Sequence, residues 1–195
     1  MNTRTLLAIA LSPVLAASML ASSCSVFGST SAAEFRTDQE LVRPDAEVYR
    51  RWVYVGSPVT PNDLNNGAAA FPEFHNVYID PESYEHWRHT GTWRDGTMLV
   101  KELVSVGATS ATSGKGYFEG DFIGLEATVK SAARFPDEPG NWAYFSFTNK
   151  DGGPLKDTAT PFATASCNAC HASNAASDFV FTQYYPVLRD ARGGR

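Results

Sequence analysis

Between Gly96 and Val106 the chain reads GTMLVKELVSV, with apolar positions on both sides of an extended strand. Successive strand side chains point to opposite faces, so Leu99, Lys101 and Leu103 go one way and Met98, Val100, Glu102 and Val104 the other. HNVYID (75–80), GYFEGDFIGLEATVK (116–130) and NWAYFSFTN (141–149) are equally dense in β-branched and aromatic residues. Together they predict antiparallel strands, because each run is bounded by glycine or other turn residues. The joints ATSATSGKG and FPDEPG carry the Gly, Pro and Ser expected of connections. PESYEHWRHTG (81–91) predicts a helix, with Asp80 as N-cap, Pro81 in the first turn and Gly91 as its stop. Residues 57–73, rich in Pro, Asn and Gly, predict a long loop or a set of turns. Beyond Pro161 the chain is alanine-rich and expected to be helical around a cysteine pair, ending in DFVFTQYYPVL. The fold class is therefore mainly β (α+β), an antiparallel sheet with a few helices.

The amino-terminal pattern differs. Arg4 precedes an apolar run from Leu6 to Ala21, followed by small residues, which is the pattern of an export signal over residues 1–33. The run is short and alanine-rich for a membrane span. A lipoprotein-type cut at Cys24 is the competing reading, although ASSC lacks the leucine expected three residues upstream of the cysteine. Cleavage after Ala33 leaves one ordinary domain. Within it, residues 34–48 read as a flexible, polar lead-in and 49–195 as the folded part. A net charge of −5 gives no reason to expect nucleic acid or an anionic membrane as partner. The expected location is the periplasm, with a lipid anchor through Cys24 as the alternative.

Chemistry concentrates in CNACH, residues 167–171. C-x-x-C-H is the attachment pattern of a c-type haem: two thioethers hold the ring edge and the next histidine reaches the iron. A thioredoxin-like dithiol would want a βαβ setting, which this pattern lacks. A structural disulfide would leave His171 unexplained. Zinc fits poorly, since loss of Cys24 leaves Cys167 and Cys170 without a second pair. One haem c per chain is the expected cofactor, anchored by Cys167 and Cys170 with His171 as iron ligand. An electron carrier would fill the opposite axial position with Met or His. The candidates Met98, His75, His86 and His89 read as packing or solvated residues, which leaves an open iron. Lys101 and Glu102 interrupt apolar rows, as charges at an edge or on a half-covered face would. Glu126 shares a strand face with Phe118 and Phe122; if that face looks inward, burial raises its pKa and suits it to proton exchange. A solvated glutamate is the plainer reading.

The stretches YRRWVYVGSPVTPNDLNNG, FPEFHNVYIDPESYEHWRHTGTWRDGTMLVKELVSVG, GYFEGDFIGLEATVK, FPDEPGNWAYFSF, CNACH and DFVFTQYYPVLR occur in an order and form that resemble the cytochrome P-460 family. The resemblance covers essentially the whole chain after the signal. It implies a mainly β fold packed around a c-type haem, usually a homodimer, with an open distal face. It also implies oxidation of hydroxylamine to nitric oxide or nitrous oxide, with electrons passing to a redox partner cytochrome. The family's lysine, which is bonded to a meso carbon of the porphyrin, matches Lys101, and its distal carboxylate matches Glu126. The catalytic residues implied are thus Glu126 and Lys101. The related cytochromes c'-beta lack the lysine bond and bind gases such as nitric oxide, sometimes under a phenylalanine cap. Any of the chain's 12 phenylalanines is a candidate for that cap.

Overall fold

The computed structural model describes residues 31–191. Cys24 and the expected export signal lie outside them, apart from residues 31–33 at the signal's end. In chain order the strands are β1 (Leu41–Val42), β2 (Val53–Gly56), β3 (Phe74–Ile79), β4 (Met98–Val106), β5 (Ser110–Ala111), β6 (Gly114–Lys115), β7 (Glu119–Lys130), β8 (Trp142–Ser146) and β9 (Thr158–Ala159). The helices are α1 (Ala46–Tyr49), α2 (Pro81–Thr90), α3 (Asn168–Asn174) and α4 (Pro186–Ala191). β2-β3-β4-β7-β8 form one antiparallel sheet, β5-β6 a small hairpin and β1-β9 a ribbon.

The strand pattern explains why this sheet is covered on both sides. On one face Met98, Val100, Leu125, Ala127, Val129, Ala143 and Phe145 pack with Leu41, Tyr49 and Phe135. On the other, Val77, Ile79, Leu99, Trp142 and Tyr144 pack with Trp87, Trp93, Val180, Tyr185 and Leu188. Burying aromatic rings on both faces is the main favourable contribution to such a fold. β4 is the middle strand, so its two charges are not at an edge. Glu102 is 4% exposed, and its Oε1 accepts from the Tyr49 hydroxyl at 2.7 Å and from Arg50 Nε at 2.7 Å. A buried carboxylate is tolerated when it is paired in this way. Burial and the bond to Glu102 push the Tyr49 phenol up, so it stays a donor.

The segment expected as a flexible lead-in is built into the fold. Leu41 has no exposed surface, β1 pairs with β9, and the Asp45 side chain caps α1. Polar spacing around a few apolar residues hid a short edge ribbon, because two-residue strands have no detectable period. The helix over 81–90 forms as its caps predict, with Asp80 Oδ1 accepting from Ser83 N at 2.9 Å and Gly91 at φ 69°. Asp80 Oδ2 also accepts from Met98 N at 2.9 Å, which fastens α2 to the middle of the sheet. In β7 a register shift separates the Leu103–Gly124 pair from Val104–Phe122. Phe122 therefore pairs with Val104, a residue of the opposite face, and does not share the face of Glu126 as simple alternation predicts. Gly124 is required here, since a Cβ would run into the Thr148 side chain.

Candidate haem-binding site

The CNACH segment starts α3, with Cys167 at its N-cap and Cys170 about one turn on. Both thiols are free; Cys167 is half-buried and Cys170 exposed. Burial, followed by the Glu126 charge, pushes the Cys167 thiol up. His171 lies between aromatic rings, its centroid 4.5 Å from Tyr144 and 4.6 Å from Phe181. Its Nδ1 is 2.7 Å from the Phe179 carbonyl oxygen. A carbonyl can only accept, so Nδ1 carries the proton and Nε2 keeps its lone pair, the arrangement of a metal-ligating histidine. Burial holds His171 below the usual histidine range, against the opposing pull of the Phe179 carbonyl. A neutral imidazole with Nε2 free is the form that binds iron.

Lys101 and Glu126 come from neighbouring strands and are direct register partners, so their side chains leave the sheet on one face. Lys101 Nζ is 2.7 Å from Glu126 Oε2, with the two side chains 29% and 30% exposed. Val77 and Ser146 complete the same row. The next row contains Thr128 and Tyr144, and Tyr144 is the residue in ring contact with His171. The charges of Lys101 and Glu126 act on both His171 and Cys167. Lys101 and Glu126 therefore share a sheet face with Tyr144, the ring against which His171 packs. Burial, with Cys167 and Asp178 close by, pushes the Tyr144 phenol well above its ordinary range.

The other axial candidates separate cleanly. Met98 is 1% exposed and belongs to the opposite face. His86 and His89 lie on α2, occupied with Thr92 and the Glu85 carbonyl. His75, expected to be a packing or solvated residue, stands on the Lys101 face, opposite Leu103. Its Nε2 is 3.2 Å from Glu73 Oε1, and the Phe71 ring approaches both His75 (6.0 Å between centroids) and Lys101 Nζ (5.8 Å to the ring centroid). The only sequence signal for this was the odd-numbered phase of His75 within its strand, which means nothing until the β3–β4 register is known.

Burial, then the Lys101 charge, holds His75 below the usual histidine range despite Glu73. The fold thus favours the neutral ring, while the unfolded chain takes up a proton near pH ~6.5. Stability should fall as pH drops through about 6.5 and level off once native His75 is protonated. Urea unfolding midpoints across this range should show that decline, and His75→Gln should make it shallower; an unaltered slope would mean other groups cause it.

These donors fit a c-type haem. Two free thiols about a turn apart and a neutral histidine with its tautomer set are what such a group needs. Among the described residues no cluster of three or more His, Cys, Asp or Glu could hold a bare metal ion. No curated protein matches the chain. The family model described as Cytochrome P460 matches residues 46–182, a span that takes in the whole five-stranded sheet, the Lys101–Glu126 pair and CNACH. The family implies a c-type haem and an oxidoreductase of the hydroxylamine-oxidising kind. The chain belongs to the cytochrome P460 family.

Proposed function

We propose that this protein oxidises hydroxylamine to nitric oxide or nitrous oxide in the periplasm, as a homodimer with one haem c per chain, and passes the electrons to a redox partner cytochrome. The observation that carries the reading is the Lys101–Glu126 pair, 2.7 Å apart on the sheet face and electrostatically coupled to His171. The haem would supply the electron-accepting chemistry, held by Cys167 and Cys170 with His171 on its iron.

The chain's own residues supply the rest. The Phe179 carbonyl keeps the proton on His171 Nδ1 and so leaves Nε2 as ligand. Glu126 is the base: each oxidation releases protons with the electrons, and a carboxylate fixed at one atom position accepts them without solvent reorganisation. Lys101 would be the third residue to hold the group, and a lysine nitrogen so bonded would no longer be a full ammonium, which would leave Glu126 without its counter-charge and able to accept protons. His75 and Glu73 border the same space and add a hydrogen-bonded pair beside it.

The rival reading, reversible gas binding, draws on Phe71, whose ring stands over Lys101 as a cap would. Absorption spectra of the purified holoprotein, oxidised and reduced, combined with a hydroxylamine turnover assay, separate the two. A high-spin spectrum with turnover is expected. Reversible nitric oxide binding without turnover would establish the gas binder, and a low-spin, six-coordinate spectrum would sink both.

A further inference from the structure

The carbonyl that holds His171 belongs to a residue in an unusual conformation. Ser177 and Val180 close a tight turn through a bridge, and its two central residues, Asp178 and Phe179, have φ of 39° and 65°. Such turns ordinarily use Asn-Gly or Asp-Gly, because positive φ at both positions disfavours a side chain, and a bulky aromatic is an outlier there. Something outside the turn must therefore hold it.

Three contacts converge on it. Lys130 Nζ, at the end of β7, donates to Asp178 Oδ2 at 2.9 Å and to the Gly140 carbonyl at 2.6 Å. Trp142 Nε1 reaches Asp178 Oδ1 at 3.4 Å, and Lys130 Nζ stands 5.2 Å from the centroid of the Trp142 ring. Gly140, itself at φ 63°, has no Cβ; one built there would lie 2.5 Å from Phe179 Cε2 and 3.1 Å from Asp178 Oδ1. The turn is thus gripped through the Asp178 carboxylate and seated against a glycine that leaves room for the Phe179 ring. Neither Lys130 nor Asp178 is among the residues assigned above to ligation or proton transfer.

We propose that Lys130, Asp178 and Gly140 form a clamp whose task is to aim the Phe179 carbonyl at His171 Nδ1, and so to set how strongly His171 donates to the iron. They are positioning residues. The proposal rests on His171 being the iron ligand. A hydrogen bond accepted from Nδ1–H raises the basicity of the metal-bound nitrogen, and loosening it weakens the iron–histidine bond and favours reduced iron.

The test uses the holoprotein. Resonance Raman of the reduced form reads the iron–histidine stretch, and a redox titration reads the potential. Lys130→Met and Asp178→Ala should both lower the stretching frequency and both raise the potential. Lys130→Arg, which keeps the ion pair, should stay near wild type. Gly140→Ala, which pushes the Phe179 ring without altering any charge, should shift both readings in the same sense as the clamp variants. Direct charge effects predict otherwise: losing Lys130 would lower the potential and losing Asp178 would raise it. Opposite shifts with an unmoved stretch, or no shifts at all, would overturn the clamp. A wild-type protein whose reduced, high-spin form shows no iron–histidine stretch would overturn the ligand assignment itself, and the clamp with it.

Discussion

Lys101→Ala is expected to retain haem through Cys167 and Cys170, to show the spectrum of an ordinary c-type cytochrome and to lose hydroxylamine oxidation. The side chain is about a third exposed and its ion pair with Glu126 is solvent-screened, so the fold should lose no more than about 1 kcal/mol. Loss of activity would then come from the missing third attachment, not from unfolding. Lys101→Arg sharpens the point. An arginine keeps a cation beside Glu126 but is permanently protonated and cannot form the bond to the ring. It should therefore behave as Lys101→Ala does. Intact mass and peptide mapping of the wild type, read with the spectra, check this directly. A ring attached only through two sulfurs in the wild type, or an unaltered spectrum in both variants, would reduce Lys101 to an ion-pair partner.

Glu126→Gln should keep all the covalent attachments and the wild-type spectrum while slowing turnover by about 10²- to 10⁴-fold, the usual loss when a positioned base is removed. That corresponds to about 3–5 kcal/mol on the barrier. Glutamine preserves the size and hydrogen-bonding reach of the carboxylate, so the comparison isolates proton acceptance. The measurement is steady-state hydroxylamine consumption on protein whose cross-link has been verified by mass. Because Glu126 and Lys101 are direct neighbours across two strands, effects of the double variant should not add. Full activity in Glu126→Gln would move the base elsewhere, and His75, on the same face, is the residue the structure offers.

Much of the molecule was legible in local pattern. C-x-x-C-H is a statement about one turn of helix, and α3 begins with it. Alternation along Met98–Val104 assigned Lys101 and Glu102 to opposite faces, and each is where that phase puts it: Glu102 against Tyr49 and Arg50, Lys101 against Glu126. The caps of α2 could be named from Asp80, Pro81 and Gly91 because capping acts within a single turn. Alternation failed at Phe122, where the register shift in β7 changes the phase. It was silent on residues 34–48, whose two-residue strand is ordered by Leu41 in a core made almost entirely of distant residues.

The chain alone therefore named the candidate haem anchors through the spacing of C-x-x-C-H, and which way strand residues face wherever no register shift intervenes, since these follow from covalent spacing inside one element. What depended on packing was who meets whom. The Lys101–Glu126 contact, the place of His75, the aromatic rings around His171 and the Phe179 carbonyl on its Nδ1 all join residues from separate segments. Their distances follow from strand register and from a tight turn held by Lys130, and neither quantity has a signature in the order of the residues until the sheet has formed.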